Sequence, residues 1–319
     1  MSVPTTDTPA AGAARATGGA ARAPRTDPSR RVEQRSALAF VAPAMVLLGL
    51  FLVVPTLLAV VLSFTNARLI SPEGPSFVGL DNYTRAFTND PTFIRSLINT
   101  FVFALVVVPV QAGLGLGLAL LVNQRIRGVN IFRTIFFLPV VTSMVVVSIL
   151  WTFMYQETGL INSMLDALTG GAISGPAWLQ DPNTALPAIM ILSIWQGVGF
   201  HMVIWLAGLQ TIPGELYEAA ALDGAGSWNK FAHVTWPGLR STLVFVIVTI
   251  TIAAFGLFVQ VDVMTRGGPL ESTTTIIFHA VRKGFREQEV GYGAALSLIF
   301  FVLVLIVSLV QRRLTRKAA

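Results

Sequence analysis

The stretch EAAALDGAGSWNKFAHVTWP, residues 218 to 237, is the most chemically varied run of the sequence, and long apolar runs flank it. It holds two carboxylates (Glu218, Asp223), two glycines (Gly224, Gly226), Lys230, His233 and a closing Pro237. That mixture suits docking better than catalysis. No Ser/His/Asp set and no carboxylate pair reads as a catalytic site, so no enzyme activity is expected. The three histidines, His201, His233 and His279, lack metal-ligand spacing, and no metal is assigned. The chain has no cysteine, which excludes disulfides, thiolate ligands and cysteine nucleophiles. A second group sits inside the apolar runs: Gln111, Ser193, Gln196, His201 and Gln260. Polar groups cost energy in hydrocarbon unless they face protein or water. Each therefore either bonds a neighbouring helix or meets a solute. Ser193, Trp195, Gln196 and Phe200 are the best set for contact, because amides beside aromatic faces suit a sugar ring.

The elements that hold these residues can be read locally. Pro213 suits the first turn of a helix, where its missing N–H costs nothing. Glu215 and Glu218 follow near the positive end of that helix's dipole. Leu216, Ala219, Ala220 and Asp223 share one face at three- and four-residue spacing. Three consecutive alanines keep the helix thin. Gly224 stands where it stops, since a glycine accepts the left-handed conformation without strain. Ser227 is placed to cap a second short helix from Trp228, which Pro237 ends.

Composition settles the surroundings. Of 319 residues, 54% are hydrophobic and only 12% charged, against about a quarter charged in soluble domains. This is an all-α integral membrane protein. Six runs have the ~20 residues needed to cross a bilayer, at about 38–64, 97–122, 135–155, 186–209, 239–261 and 292–310. The third is ambiguous at its start, because 132–138 is already apolar ahead of Pro139. Prolines 43, 55, 109, 139 and 187 lie in or at the ends of these runs and suggest kinks. Gly113, Gly115 and Gly117 form a small-residue patch suited to close helix packing. Asp262, closing the fifth run, reads as an interfacial anchor. Residues 1–35 are poor in apolar side chains and read as a disordered tail, and 313–319 as a short basic one. Fifteen of the 22 Lys and Arg residues fall on the side of the termini and seven on the other. The positive-inside rule then places both termini, and residues 211–237, in the cytoplasm. The net charge of +6 lies beside apolar runs, so it indicates membrane lipid and not nucleic acid.

The polar segment resembles the EAA loop of ABC importer permeases, through Glu218, Ala219, Ala220, Asp223, Gly224, Ala225, Phe231 and Pro237. Val234 and Trp236 depart from that pattern where isoleucine and leucine are common. The resemblance extends to FVGLDNYTRAF (77–87), FRTIFFLPVV (132–141), WQGVGFHMVIWLAGLQTIPGELYEAA (195–220) and TRGGPLESTTT (265–275). These look like the carbohydrate-importer branch, nearest the maltose-type first permease subunit without a large extra extracytoplasmic domain. The resemblance implies a six-helix type I importer fold in the cell membrane. It implies a second EAA-type permease subunit, two cytoplasmic ATPase subunits that bind ATP and Mg, and an extracytoplasmic solute-binding protein. In that family the EAA loop forms a coupling helix docked in the ATPase. No cofactor is expected in this chain, which has no G-x-x-x-x-G-K-[ST] phosphate loop. Three alternatives remain: a glycerol-phosphate permease, an ion-coupled secondary transporter, and a loop helix that only rests on the membrane. A secondary transporter would normally carry ionisable relays mid-span; here the histidine alone qualifies.

Overall fold

The computed structural model describes residues 28–72, 74–124, 128–172 and 175–316, with side chains described from Ala37 to Arg313. The expectation of a disordered tail lies outside these residues up to 27; from Pro28 the backbone is already helical. The chain divides into two compact units, Met1–Pro55 and Thr56–Ala319. The first contains α1 (Pro28–Leu48) and a π-helical turn (Gly49–Val53). Next come α2 (Val54–Leu62), α3 (Asp81–Thr88), α4 (Pro91–Val122) and α5 (Val129–Val141). After them stand α6 (Met144–Met154), α7 (Leu160–Thr169) and α8 (Ala185–Gln210). Two short helices, α9 (Gly214–Leu222) and α10 (Ser227–Lys230), lead through a π-helical turn to α11 (Trp236–Gly238). The last four are α12 (Arg240–Phe255), α13 (Val259–Met264), α14 (Ile276–Val281) and α15 (Val290–Arg316). Among the described residues there is no strand, only an isolated bridge between Thr65 and Phe77.

Five stretches are long and apolar enough to cross a membrane: Ala37–Leu62, Pro91–Val122, Ala185–Gln210, Arg240–Met264 and Val290–Arg313. The expected third span is not a continuous helix. It is the pair α5 and α6, bent by 99° at Thr142–Ser143. Both bend residues are extended, with ψ of 140° and 130°. Thirteen and eleven residues rise only about 20 Å and about 16 Å, so neither half alone crosses the ~30 Å core. The fifth span also breaks, at Gly256–Phe258, between α12 and α13.

In hydrocarbon, helices gain little from leaving lipid, so close van der Waals fit carries their packing. α8 supplies that fit at the centre of the larger unit, against α4, α5 and α12. Trp205 on α8 is fully buried, and its indole N–H donates to the Ala112 carbonyl of α4 at 3.1 Å. Gly115 admits this approach, since a Cβ there would lie 3.3 Å from both His201 and Trp205. Gly113 and Gly117 meet nothing in the structure, so the expected three-glycine patch reduces to Gly115. At Gly199 any Cβ would collide with the Phe136 carbonyl, which is how α5 lies directly on α8.

Candidate functional site

The polar segment folds as the local reading expected at its corner and differently on either side. Helix α9 ends in a complete Schellman motif. The Ala225 N–H donates to the Ala220 carbonyl at 2.9 Å, and the Gly224 N–H to Ala221 at 3.1 Å. Gly224 itself has φ +75°, the left-handed value that favours glycine. Pro213 precedes the first turn of α9 as its N-cap residue, with ψ 132°, and Gly214 opens the helix. Ser227 does not cap α10. Gly226 occupies the cap position and no side-chain bond is made there, so Ser227 is already helical. The π-helical turn Phe231–Thr235 carries α10 on into α11, and the helical run stops at Gly238, one residue past Pro237 and ahead of α12. The Tyr217 and Thr235 hydroxyls meet at 2.9 Å and tie α9 to that turn. Trp228 stacks on Phe231 at 5.7 Å, and Phe231 contacts Trp236 at 6.3 Å. Glu218, Ala219, Asp223, Gly224 and Pro237 are exposed; Ala220, Ala225 and Phe231 are half-buried. Leu222 and Trp228 stand 90% and 74% exposed beside the corner, which makes an apolar, acid-flanked knob.

The polar residues inside the spans converge on one cavity of about 360 Å³. Gln111 from α4, Ser193, Gln196, Phe200 and His201 from α8, and Gln260 from α13 all line it. Gln111 lies 3.1 Å from His201 Nδ1, which also lies 2.9 Å from the Gly197 carbonyl. Gln260 donates to the Ser193 hydroxyl at 3.4 Å. The Gln196 amide has only a long contact of 3.5 Å, to the Pro139 carbonyl at the broken third span. Its hydrogen-bonding capacity is therefore mostly unspent. Trp195 is not among the lining residues; it packs on Trp151 with ring centres 5.4 Å apart.

A larger outer cavity of about 470 Å³ is lined by Thr152, Tyr155, Gln156, Glu157, Gln180 and Thr265, among others. Sequence reading had no signal for it, since its lining comes from three separated segments, 152–157, 177–180 and 264–269. Nor did it find the buried network beside the 265–275 loop. There Asp90 caps α4 by accepting from the Phe93 N–H at 3.1 Å. Its other oxygen accepts from the Tyr292 hydroxyl at 2.7 Å and from His279 Nε2 at 2.8 Å. Arg282 lies 3.2 Å from His279 Nδ1. A guanidinium only donates, so Nδ1 is bare and the imidazole is neutral with its proton on Nε2. Burial pushes His279 below its ordinary 6.5, and Arg282 and Lys283 add to this against the pull of Asp90. Burial raises the Asp90 carboxyl, but the Tyr292, His279 and Phe93 hydrogen bonds outweigh it and hold it below the ordinary 3.8. Asn99 donates to the Glu271 and Thr274 carbonyls at 2.9 Å each, pinning the loop to α4. Asp262, near the end of the fifth span, pairs with Arg286. No cluster of three or more metal-ligating side chains occurs among the described residues.

The fold and its central chamber define a multi-pass membrane transport protein. Residues 111–319 match the family described as the inner membrane component of binding-protein-dependent transport systems, and the chain belongs to that family. It is 36% identical over 278 residues to the probable ABC transporter permease protein YurN of Bacillus subtilis (strain 168), covering 86% of this chain and 94% of that one. It is 37% identical over 277 residues to the lactose transport system permease protein LacF of Rhizobium radiobacter, covering 85% and 91%. Its fold is that of a chain in a bacterial alginate ABC transporter solved with an alginate pentasaccharide-bound periplasmic protein. That match has a TM-score of 0.79 at 22% identity and covers 91% of this chain and 97% of the other. The expected importer-permease fold is thus present, with its third span broken.

Proposed function

We propose that this chain is one of two permease subunits of an ATP-driven importer for sugars or oligosaccharides. The observation that carries this reading is the central cavity, where polar side chains from α4, α8 and α13 converge inside apolar spans. A polar cluster serving only as helix glue would satisfy its own groups; the Gln196 amide is left nearly unbonded. Ser193, Gln196 and Phe200 contact the solute, together with Gln111, His201 and Gln260, whereas Trp195 supports α6 through Trp151. Amides and hydroxyls exchange hydrogen bonds with sugar hydroxyls, and Phe200 offers a face to the ring. The similarity to a lactose permease supports a saccharide.

Coupling is assigned to Glu218, Ala219, Ala220, Asp223, Gly224, Ala225, Phe231 and Pro237. The corner they form is rigid, being held by the Schellman bonds and the Tyr217–Thr235 contact. It seats in one of two cytoplasmic ATPase subunits, which bind ATP and Mg. ATP-driven closure of the ATPase pair moves the corner, and α8 and α12, which flank it in the chain, rock the cavity between the two sides of the membrane. An extracytoplasmic binding protein delivers the solute, and both termini are cytoplasmic. The test is uptake by cells in which Gln196→Ala replaces the natural chain. Uptake should fall at least ~10-fold, as expected when a buried polar contact to a solute is lost, with the amount of assembled complex unchanged. Reduced assembly instead would assign Gln196 to helix packing.

A further inference from the structure

We infer that the two cavities of this chain select uncharged saccharides and reject uronates and sugar phosphates. The inference rests on the reading of the central cavity as a solute site and adds the charge of its occupant. Among the described residues lining that cavity there is no Asp, Glu, Lys or Arg. Its polar groups are three amides, a hydroxyl and an imidazole, with Phe103 and Phe200 as aromatic faces. His201 is the only titratable side chain among these lining residues and, unlike lysine or arginine, carries no permanent charge.

The outer cavity follows the central one along the same two elements. Met144 of α6 lines the central cavity and Thr152 the outer, about 12 Å further along the helix. On α13, Gln260 lines the central cavity and Met264 the outer, about 6 Å apart. Among the described residues lining the outer cavity, the one charged side chain is Glu157, a carboxylate. A solute moving along α6 and α13 therefore meets hydroxyls, amides, aromatic rings and one negative charge.

Four cations of the segments between the spans are committed elsewhere. Arg85 pairs with Glu289 at 2.8 Å, Arg282 with Glu271 at 2.9 Å and Lys283 with Glu287 at 2.5 Å, while Arg286 is paired with Asp262. Arg266 follows the lining residue Thr265 but is exposed and does not line the cavity. A neutral sugar exchanges its water hydrogen bonds for those of the amides. A carboxylate or phosphate loses its hydration without a partner, the costly case of an unpaired charge.

The absence of cysteine from the chain supplies the experiment. Ala253 lines the central cavity and is exposed within it, and Met144 lines it from the other side. Ala253→Cys or Met144→Cys, each in the full chain and assembled with its natural partners in membrane vesicles, is labelled with N-ethylmaleimide. Labelling is measured against rising lactose, maltose, cellobiose or chitobiose, and against digalacturonate, an alginate trisaccharide and glycerol 3-phosphate. The expected result is protection by at least one neutral disaccharide at concentrations at least ~10-fold below any anion that protects. Equal or stronger protection by an anion would overturn the inference while leaving the cavity as the solute site. Protection at neither cysteine by any probe would overturn both. In Gln196→Arg carrying either cysteine, the added cation should shift protection toward the uronates; no shift would show that charge is not what the cavity reads.

Discussion

At the scale of single residues, this molecule separates groups that bond each other from groups left open. Asp90, His279, Tyr292 and Arg282 satisfy one another, and the proton positions follow from the Arg282 donor. Because the folded pKa of His279 lies below 6.5, the unfolded chain binds more protons once the pH falls through that value. Stability from this site is therefore complete above about pH 6.5 and lost as the pH drops toward the folded value. The thermal midpoint of the complex should fall between about pH 7.5 and about pH 5.5, and His279→Gln should reduce that pH dependence; an unchanged dependence would place the titration elsewhere. Packing gives a second residue-scale prediction. Gly199→Ala drives a methyl into the Phe136 carbonyl, an overpacking that costs typically ~1–3 kcal/mol. The yield of assembled complex, measured by co-purification, should drop, whereas Gly113→Ala, facing open space, should leave it unchanged. Little of this was legible in the sequence. Trp195 and Gln196 are neighbours in the chain but about 100° apart around α8, so only one of them reaches the cavity. Which one is decided by the register of α8 against α4 and α13.

At the scale of elements, what could be read depended on how local the determinant was. The helix stop at Gly224 needs only a glycine free to take φ +75°, and the sequence announces it. The π-helical turn at Phe231–Thr235 has no such marker, and Ser227 was assigned to a cap position that Gly226 occupies, whereas the helix stop at Pro237 falls within one residue of the observed end at Gly238. The break of the third span at Thr142–Ser143 is likewise hidden, since the apolar run continues through it and Pro139 stands inside α5. The coupling corner gives the prediction at this scale. A side chain at Gly224 meets no neighbour, so Gly224→Asp strains the backbone by on the order of 1 kcal/mol and changes the exposed face of the corner. The Glu218 side chain is exposed, so Glu218→Lys reverses a surface charge without disturbing the fold. Both variants should reach the membrane at normal levels and lose uptake, with reduced ATPase co-purification or ATP hydrolysis no longer stimulated by solute. Normal uptake by both would remove the coupling role, and loss of either protein from the membrane would make the corner a folding element.

At the scale of the whole chain, the distribution of charge orients everything else. The basic residues of the loop side are largely neutralised in place, as in the Arg85–Glu289, Arg282–Glu271 and Lys283–Glu287 pairs. Lys230 and Arg240, next to the coupling corner, form no ion pair among the described residues. Lysine and arginine near span ends govern orientation, and acidic residues contribute little. Unpaired cations also remain available to the anionic headgroups of the cytoplasmic leaflet, at about 1 kcal/mol each. Both effects favour a cytoplasmic position for the corner, as the proposed coupling to an ATPase requires. A reporter fused after Ala319 should therefore read cytoplasmic, and one inserted at Gly171, beyond α7, should read outside. The reverse pair of results would turn the corner away from ATP and defeat the coupling assignment. A third reporter, ahead of Met1, tests the bent pair. Six crossings put it on the same side as Ala319; opposite sides would mean that α5 and α6 enter and leave by one face, leaving the other five stretches as the crossings.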